Sequence, residues 1–396
     1  MLDSKIKNKS ILTNTIFKVN VFKPINRLSL DFLEDFSKLL RKNNKKNLSQ
    51  DLLYLVFWCA RKKKELEKNE SSKFRVGRGL AFHICPSNVP TNFIYSFFFG
   101  LLSGNSNIVK LPSKDFKEKI IIMNTLELLF KKKKYKLFKE SNIFLQYNND
   151  IDIEMTKKIS AICDVRVIWG GDKTVNDIRK VWIPERSLEL TFPDRYSISV
   201  IDTKILSKFN DLQIKKLAKN FYFDGYLMNQ MACNSPHCIF WIGKNENLKR
   251  KFWQYVSNFV EKNFIFDNIH AVDKYTNLLE NFIYQKKIKK LKKYNNFLYV
   301  IDLSSAKQNI ENIRGVNGTF FQMNIKDLNQ LSQYITKKCQ TATYFGLKHL
   351  NIKEFILKNN LKGLDRFVPL GRALEIDTNW DGYDTIKSLS RVITIE

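Results

Sequence analysis

The chain has 396 residues, 67 Lys and Arg against 39 Asp and Glu, a formal charge of +28, and 44% hydrophobic residues. That length suggests two or three domains, and the apolar content excludes a mainly disordered chain. Six Cys with no CxxC pair exclude a disulfide scaffold and a recognisable zinc finger, and four scattered His argue against a metal site.

Only 14 of the 67 basic residues are Arg, the residue suited to bidentate phosphate recognition. The Lys runs at 62–64, 131–134 and 286–293 lie on or beside amphipathic stretches, so solvated faces explain the charge better than nucleic acid does. No apolar run reaches the ~18 residues of a membrane span. The start, MLDSKIKNKS, lacks the apolar core of a secretory signal, and a soluble cytoplasmic protein is expected.

Residues 1–75 show helical periodicity at Phe32, Leu33, Phe36, Leu39 and Leu40, then at Leu52, Leu53, Leu55, Val56 and Phe57. The texture changes near 76. A short apolar run, 80–85, ends in the turn Cys85-Pro86-Ser87-Asn88-Val89-Pro90, and an apolar helix is predicted over 91–103. Strands are predicted at 107–111, 143–147 and 164–169, separated by helices at 115–131 and near 153–160; Gly170-Gly171 then leads into another helix. Strands at 187–192 and 197–202, a helix at 211–222 and a strand at 237–242 continue the alternation, which argues for βαβ units and a mostly parallel sheet. Residues 245–296 read as lysine-rich helices, and the β-branched end, 391–396, reads as a terminal strand.

Parallel sheets bind ligands at the carboxyl ends of their strands. Three such ends carry polar or glycine-rich turns, at 85–90, 110–114 and 170–174, although the GxGxxG fingerprint is absent. Cys233 lies in the polar loop Gln230-Met231-Ala232-Cys233-Asn234-Ser235-Pro236, where a thiol is either structural or a nucleophile. Glu189, inside Leu188-Glu189-Leu190, is an outward-facing strand residue or a buried carboxylate with a partner or a use. Asn88 is a turn-former by default.

The order of Pro86-Ser87-Asn88-Val89-Pro90, Lys110-Leu111-Pro112-Ser113, Gly170-Gly171, Leu188-Glu189-Leu190 and Gln230-Met231-Ala232-Cys233 resembles the aldehyde dehydrogenase superfamily. Within it, the stretches 82–90, 169–174, 194–197, 232–237, 365–371 and 380–384 are most similar to the long-chain acyl-CoA (fatty acid) reductases, the LuxC-like family. The resemblance implies an α/β protein with two parallel-sheet lobes and a C-terminal oligomerisation strand. Its parts would be an N-terminal helical region (1–75), a dinucleotide-binding domain (76–200), a catalytic domain (201–370) and a strand segment (371–396).

By the same resemblance, Cys233 would attack an acyl thioester, and Asn88 with the Cys233 amide would form the oxyanion hole. Glu189 would tune Cys233 or relay a proton. Lys110 and Ser113 would hold the adenosine ribose, Gly170, Gly171 and Thr174 the phosphates, and Lys114 a 2′-phosphate, favouring NADPH with NADH as the alternative. The expected substrate is acyl-CoA, with an acyl-protein synthetase as a possible partner and a homo-oligomer as the assembly. Two readings from other classes stand beside this one. They are a non-redox acyl carrier or scaffold acylated on Cys233, and a Lys-rich nucleic-acid-binding protein.

Overall fold

The computed structural model describes residues 17–44, 48–68, 73–86, 89–147, 153–265, 267–284, 288–304 and 310–396. The chain divides into two compact units, Met1–Pro193 with Ile376–Glu396, and Asp194–Glu375.

The first unit contains α1 (Arg27–Asn43), α2 (Gln50–Leu66), β1 (Arg75–Gly77), β2 (Leu80–Ile84), α3 (Asn92–Leu102), β3 (Ser106–Lys110), α4 (Lys117–Phe130), β4 (Asn142–Leu145), α5 (Ile153–Ser160), β5 (Val165–Trp169), α6 (Asp172–Arg179) and β6 (Leu188–Phe192). Five strands form a parallel sheet in the order β4-β3-β2-β5-β6. Every residue of β2, β3, β4 and β5 is buried, as expected of parallel strands covered on both faces. All eleven residues of α3 are buried too, which is why its sequence, NFIYSFFFGLL, has no polar face. Phe32, Leu33, Phe36 and Leu40 of α1 join Trp58 of α2 and Phe97 and Phe98 of α3 in one core. The start of α1 is capped by the Asn26 side chain, which accepts from the Ser29 amide at 2.9 Å.

The second unit contains β7 (Tyr196–Asp202), α7 (Asp211–Gly225), β8 (Pro236–Ile242), α8 (Glu246–Asn263), α9 (Asn268–Tyr284), β9 (Ile288–Lys293), β10 (Tyr299–Leu303), β11 (Thr319–Ile325), β12 (Cys339–Phe345), α10 (His349–Lys358) and β13 (Arg366–Pro369). Its seven-stranded sheet runs β13-β12-β7-β8-β11-β10-β9 and is parallel except at β9. That edge strand corrects the helical reading of 245–296. Helices occupy 246–263 and 268–284, but 288–293 pairs antiparallel with β10. Lysines along an exposed edge oppose edge-to-edge association.

The chain then returns to the first unit through β14 (Asn379–Trp380), β15 (Tyr383–Asp384) and β16 (Ser390–Val392). β16 pairs antiparallel with β1, Arg75 opposite Val392, and the strand stops at Val392 short of the predicted 391–396.

Candidate active site

In the first unit, parallel pairing sets Ile84 opposite both Lys110 and Ile168, so residues 85–86, 111–114 and 170–174 leave the sheet at one carboxyl edge. Six predicted cofactor residues, Lys110, Ser113, Lys114, Gly170, Gly171 and Thr174, therefore share that edge. Helix α6 starts there on Gly171, with no side-chain cap among the described residues. A Cβ on Gly171 would meet nothing within 4 Å, whereas one on Gly170 would touch the Thr174 side chain at 3.0 Å. Ser113, Lys114 and Thr174 are exposed. The edge thus carries an uncapped helix start, the hydroxyls of Ser113 and Thr174 and the Lys114 ammonium, groups of the kind that bind phosphates and ribose. Lys110 differs, being only 2% exposed with its ammonium 5.4 Å from the centroid of the Tyr147 ring.

Beneath this edge runs a buried polar chain that sequence reasoning missed. Trp169 Nε1 donates to Ser96 Oγ (2.9 Å), which meets His83 Nδ1 (2.7 Å), and His83 Nε2 meets Asn107 Oδ1 (2.9 Å). Burial lowers the His83 pKa to about 4, so the ring is neutral at pH 7 and packs rather than titrates. Burial pushes the Cys85 thiol up to about 12, against the pull of Lys110. Asn88, predicted as an oxyanion donor, and Ser87 beside it lie outside the described residues.

Glu189 is not at the carboxyl edge. It is the second residue of β6 and sits opposite Arg166, near the amino ends of the strands. One carboxylate oxygen takes Arg166 Nε at 2.7 Å and also the Arg166 Nη2; the other takes Arg179 Nε at 2.9 Å. Arg166 is buried and further tied to Ser160 Oγ (3.1 Å) and Val181 O (2.9 Å). Both Glu189 oxygens are thus engaged by guanidinium groups in an ion pair.

Cys233 belongs to the second unit, in the loop between α7 and β8. Two consecutive non-glycine residues there, Asn229 and Gln230, have φ of 51° and 63°, a left-handed conformation costing roughly 1–3 kcal/mol each. The buried Gln230 side chain holds that turn. Its Nε2 donates to Thr319 O (2.8 Å) and Pro236 O (3.2 Å), and its Oε1 accepts from the Gly318 amide (3.2 Å). Ser197 Oγ donates to the Cys233 carbonyl (2.6 Å), and Asn234 Nδ2 to the Ala373 carbonyl (2.6 Å). The Ala373 amide donates in turn to Asp224, a buried carboxylate with no counterpart in the sequence reading.

Five of the six cysteines, Cys59, Cys85, Cys163, Cys238 and Cys339, are buried, and burial raises the pKa of each. Cys233 alone is partly exposed. His237, four residues on, is buried, and burial lowers its pKa to about 3, so the ring stays neutral. The side-chain oxygens of Ser235, Asn317 and Thr319 are buried around this loop without a hydrogen-bond partner among the described residues. Such unmet groups cluster where a site is incomplete without water or ligand.

Two α/β units of this topology define the aldehyde dehydrogenase fold. The chain is similar to a NAD-dependent benzaldehyde dehydrogenase from Corynebacterium glutamicum (TM-score 0.61, 11% identity, 91% of this chain and 84% of that one). It is also similar to lactaldehyde dehydrogenase from Escherichia coli (TM-score 0.60, 10% identity, 86% and 78%). Residues 7–392 match the family described as acyl-CoA reductase (LuxC), and the chain belongs to that family. It is 24% identical over 169 residues to the long-chain acyl-protein thioester reductase of Aliivibrio fischeri, covering 42% of this chain and 33% of that protein. To the long-chain acyl-protein thioester reductase 2 of Photobacterium leiognathi it is 25% identical over 171 residues, covering 42% and 32%. The matched stretches thus span about a third of these relatives. Among the described residues no helix is long and apolar enough to cross a membrane.

Proposed function

We propose that this protein reduces a long-chain acyl thioester to the aldehyde through an acyl-enzyme on Cys233. The observation that carries this reading is the exposure of Cys233 alone among six cysteines, on a loop clamped by Gln230, Asn234 and Ser197. The Cys233 sulfur forms a bond to the thioester carbonyl, and the carrier leaves as its thiol, taking a proton. Dividing the reaction in this way replaces one difficult step with two easier ones. A backbone N–H such as that of Cys233 stabilises the oxyanion, at roughly 3–4 kcal/mol per donor. A reduced nicotinamide, when bound, would supply the hydride that takes the acyl carbon to the aldehyde level. The Cys233–carbon bond of the resulting thiohemiacetal then breaks, releasing aldehyde and restoring the thiolate.

Ser113, Thr174 and the open start of α6 would hold the dinucleotide, and the exposed Lys114 on the same sheet edge would favour NADPH. Lys110 supports the site from below against Tyr147. The names of the relatives support an acyl group carried on a protein thiol as donor in preference to acyl-CoA, which makes a partner protein the source of substrate.

Intact-mass measurement after incubation with acyl-CoA or an acylated carrier protein, without nicotinamide, tests the reading. One acyl group should be added, and none to Cys233→Ala. Acylation at Cys85 or Cys238, or no acylation from either donor, would overturn it.

A further inference from the structure

Along α9, Ile269, Val272, Tyr275, Leu279 and Ile283 recur every three or four residues and so share one side of the helix. All are exposed, Val272 by 64% and Tyr275 by 56%. Single exposed apolar residues are ordinary, but a row of five along one helix marks a contact surface. Beneath its middle, a cavity of about 690 Å³ opens between α9 and the start of β10. Its lining includes Ala271, Val272, Lys274, Tyr275, Thr276 and Tyr299. That volume lies within the range of small-molecule sites.

The cavity is tied directly to the nucleophile loop. Lys274 Nζ donates to Gly318 O (3.5 Å) and Asn296 O (3.1 Å) and sits 4.0 Å above the Tyr299 ring. The amide of the same Gly318 donates to Gln230 Oε1 (3.2 Å). At the first turn of α9, His270 Nε2 meets Asn229 Nδ2 (3.1 Å), and His270 O accepts from Asn317 Nδ2 (3.3 Å). Asn229 and Gln230 precede Cys233 by four and three residues, so Gln230 and Cys233 are separated by at most about 11 Å of chain.

We propose that this cavity is the acyl-chain subsite, taking the hydrocarbon tail of the thioester whose carbonyl Cys233 attacks, with the tail continuing along the α9 row. The proposal rests on the catalytic reading given above. Among the described residues no carboxylate lines the cavity, which disfavours a cationic ligand. The Lys274 charge is met by two carbonyls and a ring, and burial lowers its pKa to about 7, so an apolar occupant adds little further cost. Covering the exposed Val272 and Tyr275 with hydrocarbon takes apolar surface out of water, which favours an apolar occupant.

The test separates tail binding from catalysis. In the full chain carrying Cys233→Ser, fluorescence titration with cis-parinaric acid, a long-chain polyene fatty acid, should show saturable binding. Adding Ala271→Trp, which fills the cavity, should weaken that binding by about tenfold or more, and Thr276→Trp serves as an independent second filling. In the chain with Cys233 intact, the ratio of myristoyl to butyryl thioester acylation rates should fall by a similar factor in both filled variants. No binding to the Cys233→Ser chain, binding indifferent to both fillings, or an equal fall for both thioesters would overturn the proposal. If the tail binds and both fillings displace it while no thioester acylates Cys233, the catalytic reading fails and the subsite stands.

Discussion

Replacing Asp224 with Asn tests the scaffold behind the nucleophile loop. Asp224 Oδ2 accepts from the Gly371 amide at 2.7 Å and Oδ1 from the Ala373 amide at 2.8 Å. Burial pushes its carboxyl from 3.8 up to about 7, the two amides and Arg366 pulling down and Glu375 adding to the rise. In the unfolded chain the group ionises near 3.8. Between about pH 4 and about pH 7 the native state therefore keeps a proton that the unfolded state has lost, and stability falls as pH rises through that window. At about 1.4 kcal/mol per pH unit, the full decline is on the order of 4 kcal/mol. Asp224→Asn removes this titration, but its NH₂ faces a backbone N–H that then lacks an acceptor, a loss of about 1–3 kcal/mol. The variant should be less stable than the parent near pH 5, and the gap should close or reverse near pH 8. Urea unfolding of both proteins across this range reads the difference directly. Parallel pH profiles would show that Asp224 does not carry a raised carboxyl and would refute the reasoning.

Two further outcomes follow from the geometry. Brief treatment of the native protein with iodoacetamide should alkylate Cys233 before any other cysteine, since the remaining five are buried; peptide mass mapping that finds Cys59, Cys85, Cys163, Cys238 or Cys339 labelled first would contradict this. Glu189→Gln should lower stability by about 3–5 kcal/mol, because buried Arg166 loses its charge partner, while acylation by the folded fraction stays within about twofold. A stability change below about 1 kcal/mol, or an acylation rate reduced about a hundredfold, would return Glu189 to the chemistry.

The alternation of strands and helices from 80 to 242 was legible because each buried strand is a compact apolar run bounded by turn residues. The helix at 92–102 was legible because nine of its eleven residues are apolar or glycine, and the two polar ones, Asn92 and Ser96, are short enough to be buried with the rest. The edge strand at 288–293 was not. Its two apolar residues, Ile288 and Leu291, are three apart, which mimics a helical face, and the pairing with β10 shifts register between Asp302 and Leu303. Glu189 was legible as a strand residue, but its partner Arg166 lies on a neighbouring strand 23 positions earlier, a distance that local pattern does not report. Asp224 carried a signal that could have been used, since a carboxylate closing the aromatic run Phe221-Tyr222-Phe223 needs a partner. Its partners are backbone amides almost 150 residues downstream, which no side-chain motif records.

The return of the chain at Ile376 has a consequence for the order in which the protein can be made. The second unit is one continuous segment, whereas the first needs residues on both sides of it. Arg61 Nη2 donates to Ile376 O, Lys62 Nζ meets Asp377 at 2.7 Å, and β16 is the partner of β1. At about 5–20 residues per second on the ribosome, these contacts become available on the order of 10–40 s after Pro193 has been joined. The unit begun first is thus completed last, with its helices and sheet waiting on a closing strand while the later unit already has every part. A reading frame lost just beyond residue 375 leaves the second unit whole and strips the amino-terminal unit of its clasp.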